Sequence, residues 1–187
     1  MHAPDDRAAG HAPRRPHDRG RGADGYAPRQ LLLALVLLVG GLVGCDHATK
    51  RLATTELAGR PAVTIVQGAV SLRYLENRDS AFGLLRRLEP GTRRPLLIAA
   101  SVLATGLIVA FWWQRRRDGW LSHLAFALVL AGGVGNLVDR AFRGYVVDFV
   151  HVEHWPVFNA ADVYLVVGVG LLLLLQRRGA RAETART

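Results

Sequence analysis

The 187-residue chain holds one cysteine, Cys45, and one methionine. A lone cysteine excludes an internal disulfide framework and a cysteine-based zinc site, so neither crosslinks nor a metal finger holds this fold together. Acids are scarce as well, with 15 Asp+Glu against 24 Lys+Arg and a formal net charge of +9. The basic residues lie in the tails and short connections and not along one amphipathic face, which argues against nucleic-acid binding. No Gly-rich phosphate loop and no nucleophile elbow occurs. What is abundant is apolar: 50% of the residues are hydrophobic, in a chain with room for one domain. Apolar runs with basic flanks point to a membrane protein whose stability comes from helix packing in lipid.

Residues 1–28 are rich in Pro, Gly, Arg and Asp and have no apolar period, so they read as a disordered cytoplasmic tail. Four apolar stretches follow, at 31–44, 95–113, 120–138 and 157–175. Each of the last three is long enough to cross a hydrocarbon core of roughly 30 Å. The first is short unless its helix continues through Asp46 and Lys50 to about Leu52. The expected organisation is a membrane domain over 29–176, with spans at about 31–52, 95–113, 120–138 and 157–175, outer loops at 53–94 and 139–156, and a tail at 177–187. Gln114-Arg115-Arg116-Arg117 and Gln176-Arg177-Arg178 concentrate the positive charge found on the cytoplasmic side, so both termini are expected there. The loop over 45–94 is also basic and counts against this orientation, although long loops weigh less.

Within the first outer loop, 62–66 and 70–75 are β-branched and apolar runs separated by Gln67-Gly68-Ala69, a hairpin signal. The alternation over 145–152 suggests a further strand for the same sheet. Over 80–88, Phe82, Leu85 and Leu88 recur at helical spacing beside Arg86 and Arg87, which suggests a short interfacial helix. The fold expected is membrane α-helical: four transmembrane helices, a small β-sheet on the outer face and a short interfacial helix.

The third span ends at Asn136-Leu137-Val138-Asp139-Arg140 and the fourth opens at Phe158-Asn159-Ala160-Ala161-Asp162. A spacing of three places each Asn and Asp on one helical face, so the amide can bond the carboxyl or a shared substrate. The two helices are antiparallel and joined on the outer side, which puts Asp139 and Asp162 at similar depth near the outer leaflet. Intramembrane carboxylates cost roughly 2.5–3.5 kcal/mol each on insertion scales, so a pair at matched depth calls for a function. Two carboxyls brought within a few Å share one proton; the ionised one can take a proton from water while the protonated one polarises a scissile carbonyl. That is peptide hydrolysis by an aspartyl dyad. The bland alternative is that each Asp caps a helix end or pairs with Arg140. Asp46, Thr49 and Lys50 share one face of the first helix, where Lys50 can pair with Asp46, either as part of a site or as an ion pair ending the helix. Asn77-Arg78-Asp79-Ser80-Ala81-Phe82-Gly83 has the small and polar residues of a loop lying against a ligand.

Other classes compete. Leu42-Val43-Gly44-Cys45 looks like a lipobox, which would make the chain a lipoprotein acylated at Cys45, but an anchor is redundant beside three further spans. Intramembrane carboxylates also mark proton or ion pathways, yet here no polar trail leads inward except His123, read as locally satisfied. His151, Glu153 and His154 lack a further ligand at zinc spacing and read as a polar loop beside an interfacial Trp155.

Taken in order, Asp46-x-x-Thr49-Lys50, Asn77 to Gly83, Gly135-Asn136-x-x-Asp139-Arg140 and Phe158-Asn159-x-Ala161-Asp162 resemble lipoprotein signal peptidases (signal peptidase II), an aspartyl intramembrane peptidase family, over about 31–176. The resemblance implies a multi-pass enzyme of the bacterial inner membrane that cleaves diacylglyceryl-modified prolipoproteins before the lipidated cysteine. It implies Asp139 and Asp162 as the dyad, with no metal and no cofactor. Asn136, Arg140, Asn159, Asn77, Asp46 and Lys50 would position the substrate or hold the dyad, and globomycin-type inhibitors would occupy the same groove. Membrane lipid is the other expected partner, and a monomer is expected. The chain departs from the family pattern at His47, usually Gln, and at Asp79, usually Gly, where a glycine would serve a positive φ or a close backbone approach.

Overall fold

The computed structural model describes residues 28–79 and 88–184. But for their last residues, the tail expected over 1–28 and the interfacial helix expected over 80–88 lie outside the described residues. Four helices and three strands follow in the order α1 (Pro28–Leu57), β1 (Val63–Val66), β2 (Val70–Asn77), α2 (Pro90–Gln114), α3 (Trp120–Phe142), β3 (Val146–Val152) and α4 (Ala160–Thr184).

α1 runs unbroken for 30 residues, roughly 45 Å, so its apolar N-terminal part and the polar Asp46 and Lys50 turn belong to one rod. It stops at Gly59, whose φ of 71° takes the chain into the left-handed region while Arg60 N–H bonds the Leu57 carbonyl at 3.1 Å. α2 begins at Pro90, where a proline forgoes no helical bond, and carries Pro95 inside it, so it starts earlier than the apolar run alone suggests. α4 begins at Ala160 and continues to Thr184, which makes 177–184 helical. All four helices are long and apolar enough to cross a membrane.

The partition of residues is that of a membrane protein. Leu33, Val36, Leu37, Leu103, Leu107 and Val166 are exposed, whereas Asp46, Lys50, Asn136, Asp139, Asp148 and Asn159 are buried. In lipid an outward Leu or Val needs no cover, while a polar group must find its partners inside. α3 is the central helix and packs against α1, α2 and α4. Gly132 sets its distance from α4, because a Cβ there would run into the Ala161 carbonyl oxygen and, at 2.7 Å, the Leu165 side chain.

The strands form one antiparallel sheet in the order β1-β2-β3 at the end of the bundle where α1 and α3 finish and α2 and α4 start. Gly68, at φ 71°, closes the β1–β2 hairpin, and Ala69 N–H bonds the Val66 carbonyl at 3.0 Å. Val70 lies opposite Val152 and Asn77 opposite Val146, with a register shift between Leu72 and Leu75. At the other end of the bundle Leu35, Trp112, Phe126, Ala127 and Leu130 form an apolar cluster. There His123 accepts a hydrogen bond from the Trp112 indole N–H at 3.1 Å, the local satisfaction expected of it.

Candidate active site

One lysine organises the buried polar residues at the sheet end. Lys50 Nζ lies 2.7 Å from Asp46 Oδ2 and 2.9 Å from Asp139 Oδ2, and donates to Asn136 Oδ1 at 3.0 Å. The ammonium thus ion-pairs with two carboxylates and hydrogen-bonds one amide oxygen. Asp46 sits one helical turn before Lys50, and its other oxygen accepts the Ala161 backbone N–H at 3.0 Å. That N–H belongs to the first turn of α4, where amides lack helical partners and the helix dipole favours a negative charge. Asp46 thereby ties α1 to the start of α4. Gly135 makes room for it, since a Cβ there would lie 2.7 Å from Asp46 Oδ2.

The opening of α4 is a reciprocal cap. Asn159 Oδ1 accepts the Asp162 N–H at 3.1 Å, and Asp162 Oδ2 accepts the Asn159 N–H at 3.2 Å. The capping alternative is therefore half right for Asp162: one oxygen caps, while the other accepts the Asn136 amide at 2.8 Å. Asn136 holds the centre. It touches Asp162 through its N–H, and through its oxygen it accepts Lys50 and, at 3.1 Å, the Asn159 amide. Asp139 and Asp162 thus stand at the two ends of one chain of contacts, Asp139–Lys50–Asn136–Asp162.

Their surroundings differ. Asp139 is met by cations and by a histidine: Lys50, the Arg143 guanidinium at 2.9 Å and His47 Nδ1 at 3.7 Å. Asp162 is held by amides. The expected alternative partner of Asp139, Arg140, does not pair with it; its Nη1 lies 3.4 Å from the Asn136 carbonyl, and its Nε is buried without a hydrogen-bond partner among the described residues. Thr49 shares the Asp46 face but bonds the Asp46 carbonyl within the helix at 2.8 Å. A cavity of about 480 Å³ opens beside Asp139, lined by Gly44, His47, Arg51, Val138 and Phe142 among others.

Two residues of the site escaped the sequence reading. Arg143 was legible only as an i,i+4 partner of Asp139. Asp148 was hidden in an apolar strand, and its signal was a single acid between Val147 and Phe149. It is buried, and its two oxygens accept the Asn159 amide at 2.7 Å and the Asn77 amide at 2.8 Å. Burial pushes its carboxyl up to about 6, against the two amide bonds that lower it. Asn77 therefore joins the network through Asp148, while its own oxygen accepts the Asp79 N–H at 3.1 Å. Among the described residues the only non-glycine with a positive φ is His154, so Asp79 stands where a left-handed backbone is not required. His151 lies across the sheet from Ser71, its Nδ1 3.3 Å from the hydroxyl.

A family model described as Signal peptidase (SPase) II matches residues 33–177. The lipoprotein signal peptidase of Syntrophotalea carbinolica is 40% identical over 153 residues, covering 80% of this chain and 92% of the relative. That of Geobacter metallireducens is 34% identical over 161 residues, covering 84% and 97%. A bacterial membrane enzyme solved by the in meso method at 2.3 Å has the same fold, with a TM-score of 0.68 at 22% identity over 79% of this chain and 89% of the other. The matched span takes in the whole buried network from Asp46 to Asp162, and by that match the chain belongs to the signal peptidase II family.

Proposed function

We propose that the chain is a membrane aspartic endopeptidase that removes signal peptides from diacylglyceryl-modified prolipoproteins by cleavage before the lipidated cysteine, with Asp139 and Asp162 as its acid–base pair. The observation that carries the reading is the buried chain of contacts through Lys50 and Asn136 that joins the two carboxyl groups. One carboxylate takes a proton from water as the water oxygen bonds the scissile carbonyl carbon, and the other carboxyl gives its proton to the carbonyl oxygen. Collapse of that intermediate breaks the C–N bond: the departing nitrogen takes the proton that the first carboxylate had drawn from water, and the hydroxyl on the former carbonyl carbon returns its proton to the second as the C=O reforms. Lys50 and Asp46 hold Asp139 and the start of α4, Asn136 and Asn159 orient Asp162, and Asn77 acts through Asp148. The unengaged Nε of Arg140 suits a substrate carbonyl.

Membrane topology follows from charge. Arg115, Arg116, Arg117, Arg177 and Arg178 all lie at the bundle end away from the sheet, which favours a cytoplasmic placement of both termini and an outer-leaflet site in a bacterial inner membrane. The enzyme acts as a monomer in this reading, and globomycin-type inhibitors compete for the groove beside Asp139. The rival readings lose support. Cleavage before Cys45 would cut α1 in its middle, and a proton pathway would need polar partners beyond His123, which Trp112 already engages.

The test is cleavage of a diacylglyceryl prolipoprotein by purified protein in detergent. Asp139→Asn and Asp162→Asn should each lower the rate of the folded protein by at least about 10²-fold, the scale of a lost acid–base group, with the thermal midpoint little changed for Asp162→Asn and lowered for Asp139→Asn, which loses its ion pairs to Lys50 and Arg143. Full activity in either variant removes that residue from the pair.

A further inference from the structure

One stripe of α1 lines two cavities in succession. The cavity of about 480 Å³ beside Asp139 has Gly44, His47, Ala48 and Arg51 along its α1 wall, and a second, of about 250 Å³, has Arg51, Thr54 and Thr55. Spacings of three and four residues recur along this wall, which keeps it to one face of the helix. Arg51 and Arg143 line both cavities and so join them into one groove, with Tyr145 and Val147 on the far side of its outer part. The groove starts at Asp139 and follows α1 towards its end at Leu57, on the side of the bundle that carries the sheet.

Charge along the groove is uneven. At its inner end the acids Asp46 and Asp139 are matched by the cations Lys50 and Arg143. Arg51 has no such match. It is exposed, its carbonyl accepts the Thr55 hydroxyl at 3.0 Å, and its guanidinium meets no acid among the described residues. Glu56, the next acid along α1, pairs with Arg60 at 3.2 Å instead. The hydroxyl of Thr54 likewise donates to the Lys50 carbonyl at 2.8 Å, so beside Arg51 the groove offers hydroxyl lone pairs and one unmatched cation. The buried Asp139 is the one acid that lines either cavity among the described residues.

Length fixes what reaches that cation. Arg51 stands one helical turn beyond His47, whose Nδ1 lies 3.7 Å from Asp139 Oδ1, and a step of four residues advances about 6 Å along a helix. An extended peptide covers about 3.3 Å per residue. A substrate whose scissile bond lies at Asp139 therefore brings to Arg51 a side chain about two residues away. A signal peptide is apolar and stays in lipid, so the part that leaves along the groove towards the sheet is the part after the cleaved bond.

We propose, resting on the peptidase reading above, that Arg51 is a specificity-determining residue that favours an acidic side chain at the second or third position of the released product, the lipidated cysteine being the first. The test gives the purified full chain in detergent three diacylglyceryl prolipoprotein peptides that carry Asp, Asn or Lys at both positions. Wild type should cleave the Asp peptide with a kcat/KM about fivefold above that of the Lys peptide, with Asn between them. The difference should lie in KM, because an ion pair made before and during the reaction acts on binding. Arg51→Lys should keep that order, Arg51→Gln should level it, and Arg51→Glu should invert it. Equal kcat/KM for the three peptides in wild type, or an Asp preference that survives Arg51→Gln, overturns the proposal and leaves the peptidase reading standing. A fall in all three rates alike in Arg51→Gln, with the order kept, marks a residue that only anchors α1 among headgroups and overturns it as well. No cleavage of any peptide by folded wild type removes the peptidase reading, and the role of Arg51 with it.

Discussion

The two ends of the helix bundle solve the same packing problem with opposite chemistry. At the sheet end, α1, α3 and α4 meet through Asp46, Lys50, Asn136, Asp139 and Asn159, every one buried. At the other end they meet, with α2, through Leu35, Trp112, Phe126, Leu130 and the partly buried Leu172, where Trp112 donates a hydrogen bond to His123. Apolar packing suffices to join helices, so the polar end carries a cost that packing alone does not require. Its partners are also interdependent: removing one leaves others buried and unmatched, whereas the apolar end loses only what is removed.

Replacing the shared cation should break that contrast most. Lys50→Met leaves Asp46 and Asp139 buried without their common partner and should destabilise the protein by about 3–5 kcal/mol in thermal or chemical unfolding. A loss below about 1 kcal/mol would mean that Arg143 and the α4 amides already balance the two carboxylates. Asp148 should give the next largest effect, and its sign is fixed by its raised value of about 6 against an ordinary 3.8. The folded state binds this proton more tightly than the unfolded chain, so its stabilising contribution is complete below about pH 3.8 and is lost as pH rises to about 6. The stability of wild type relative to Asp148→Asn should therefore fall by roughly 3 kcal/mol across that window, read from unfolding at several pH values.

Gly135→Ala sharpens the comparison within α3. Its methyl would meet Asp46 Oδ2, a charged atom fixed by Lys50, so about 1–3 kcal/mol of stability and much of the cleavage activity should go together. The smallest effect belongs to the apolar end. Trp112→Phe removes the donor to His123 and should lower stability by about 1 kcal/mol while leaving the cleavage rate unchanged. A clear fall in rate would show that the two ends are coupled through α3.

Much of this was legible in sequence because lipid makes strict demands. The four apolar runs, the Gly68 hairpin and the Asn-x-x-Asp pairs answer to local rules of length, turn conformation and helical spacing. Helix ends were less legible: apolar content stops at the lipid boundary, but backbone bonding carries α2 back to Pro90 and α4 on to Thr184. Asp148 was missed because strand alternation says which face a residue takes and not which distant amide it meets.

The sequence by itself determined which residues must be hidden from lipid, since the charges of Asp46, Lys50, Asp139 and Asp162 have no tolerable place among hydrocarbon chains. Beyond the i,i+4 pairs Asp46–Lys50 and Asp139–Arg143, tertiary structure decided who partners whom. Asn77 turns to Asp148, Asp139 to Lys50 and not to neighbouring Arg140, and Asp46 to an α4 amide 115 positions away. Those pairings depend on the close approach permitted at Gly132 and Gly135 and on the sheet that brings β2 beside β3. Contacts between distant segments are set by packing geometry, on which local spacing is silent.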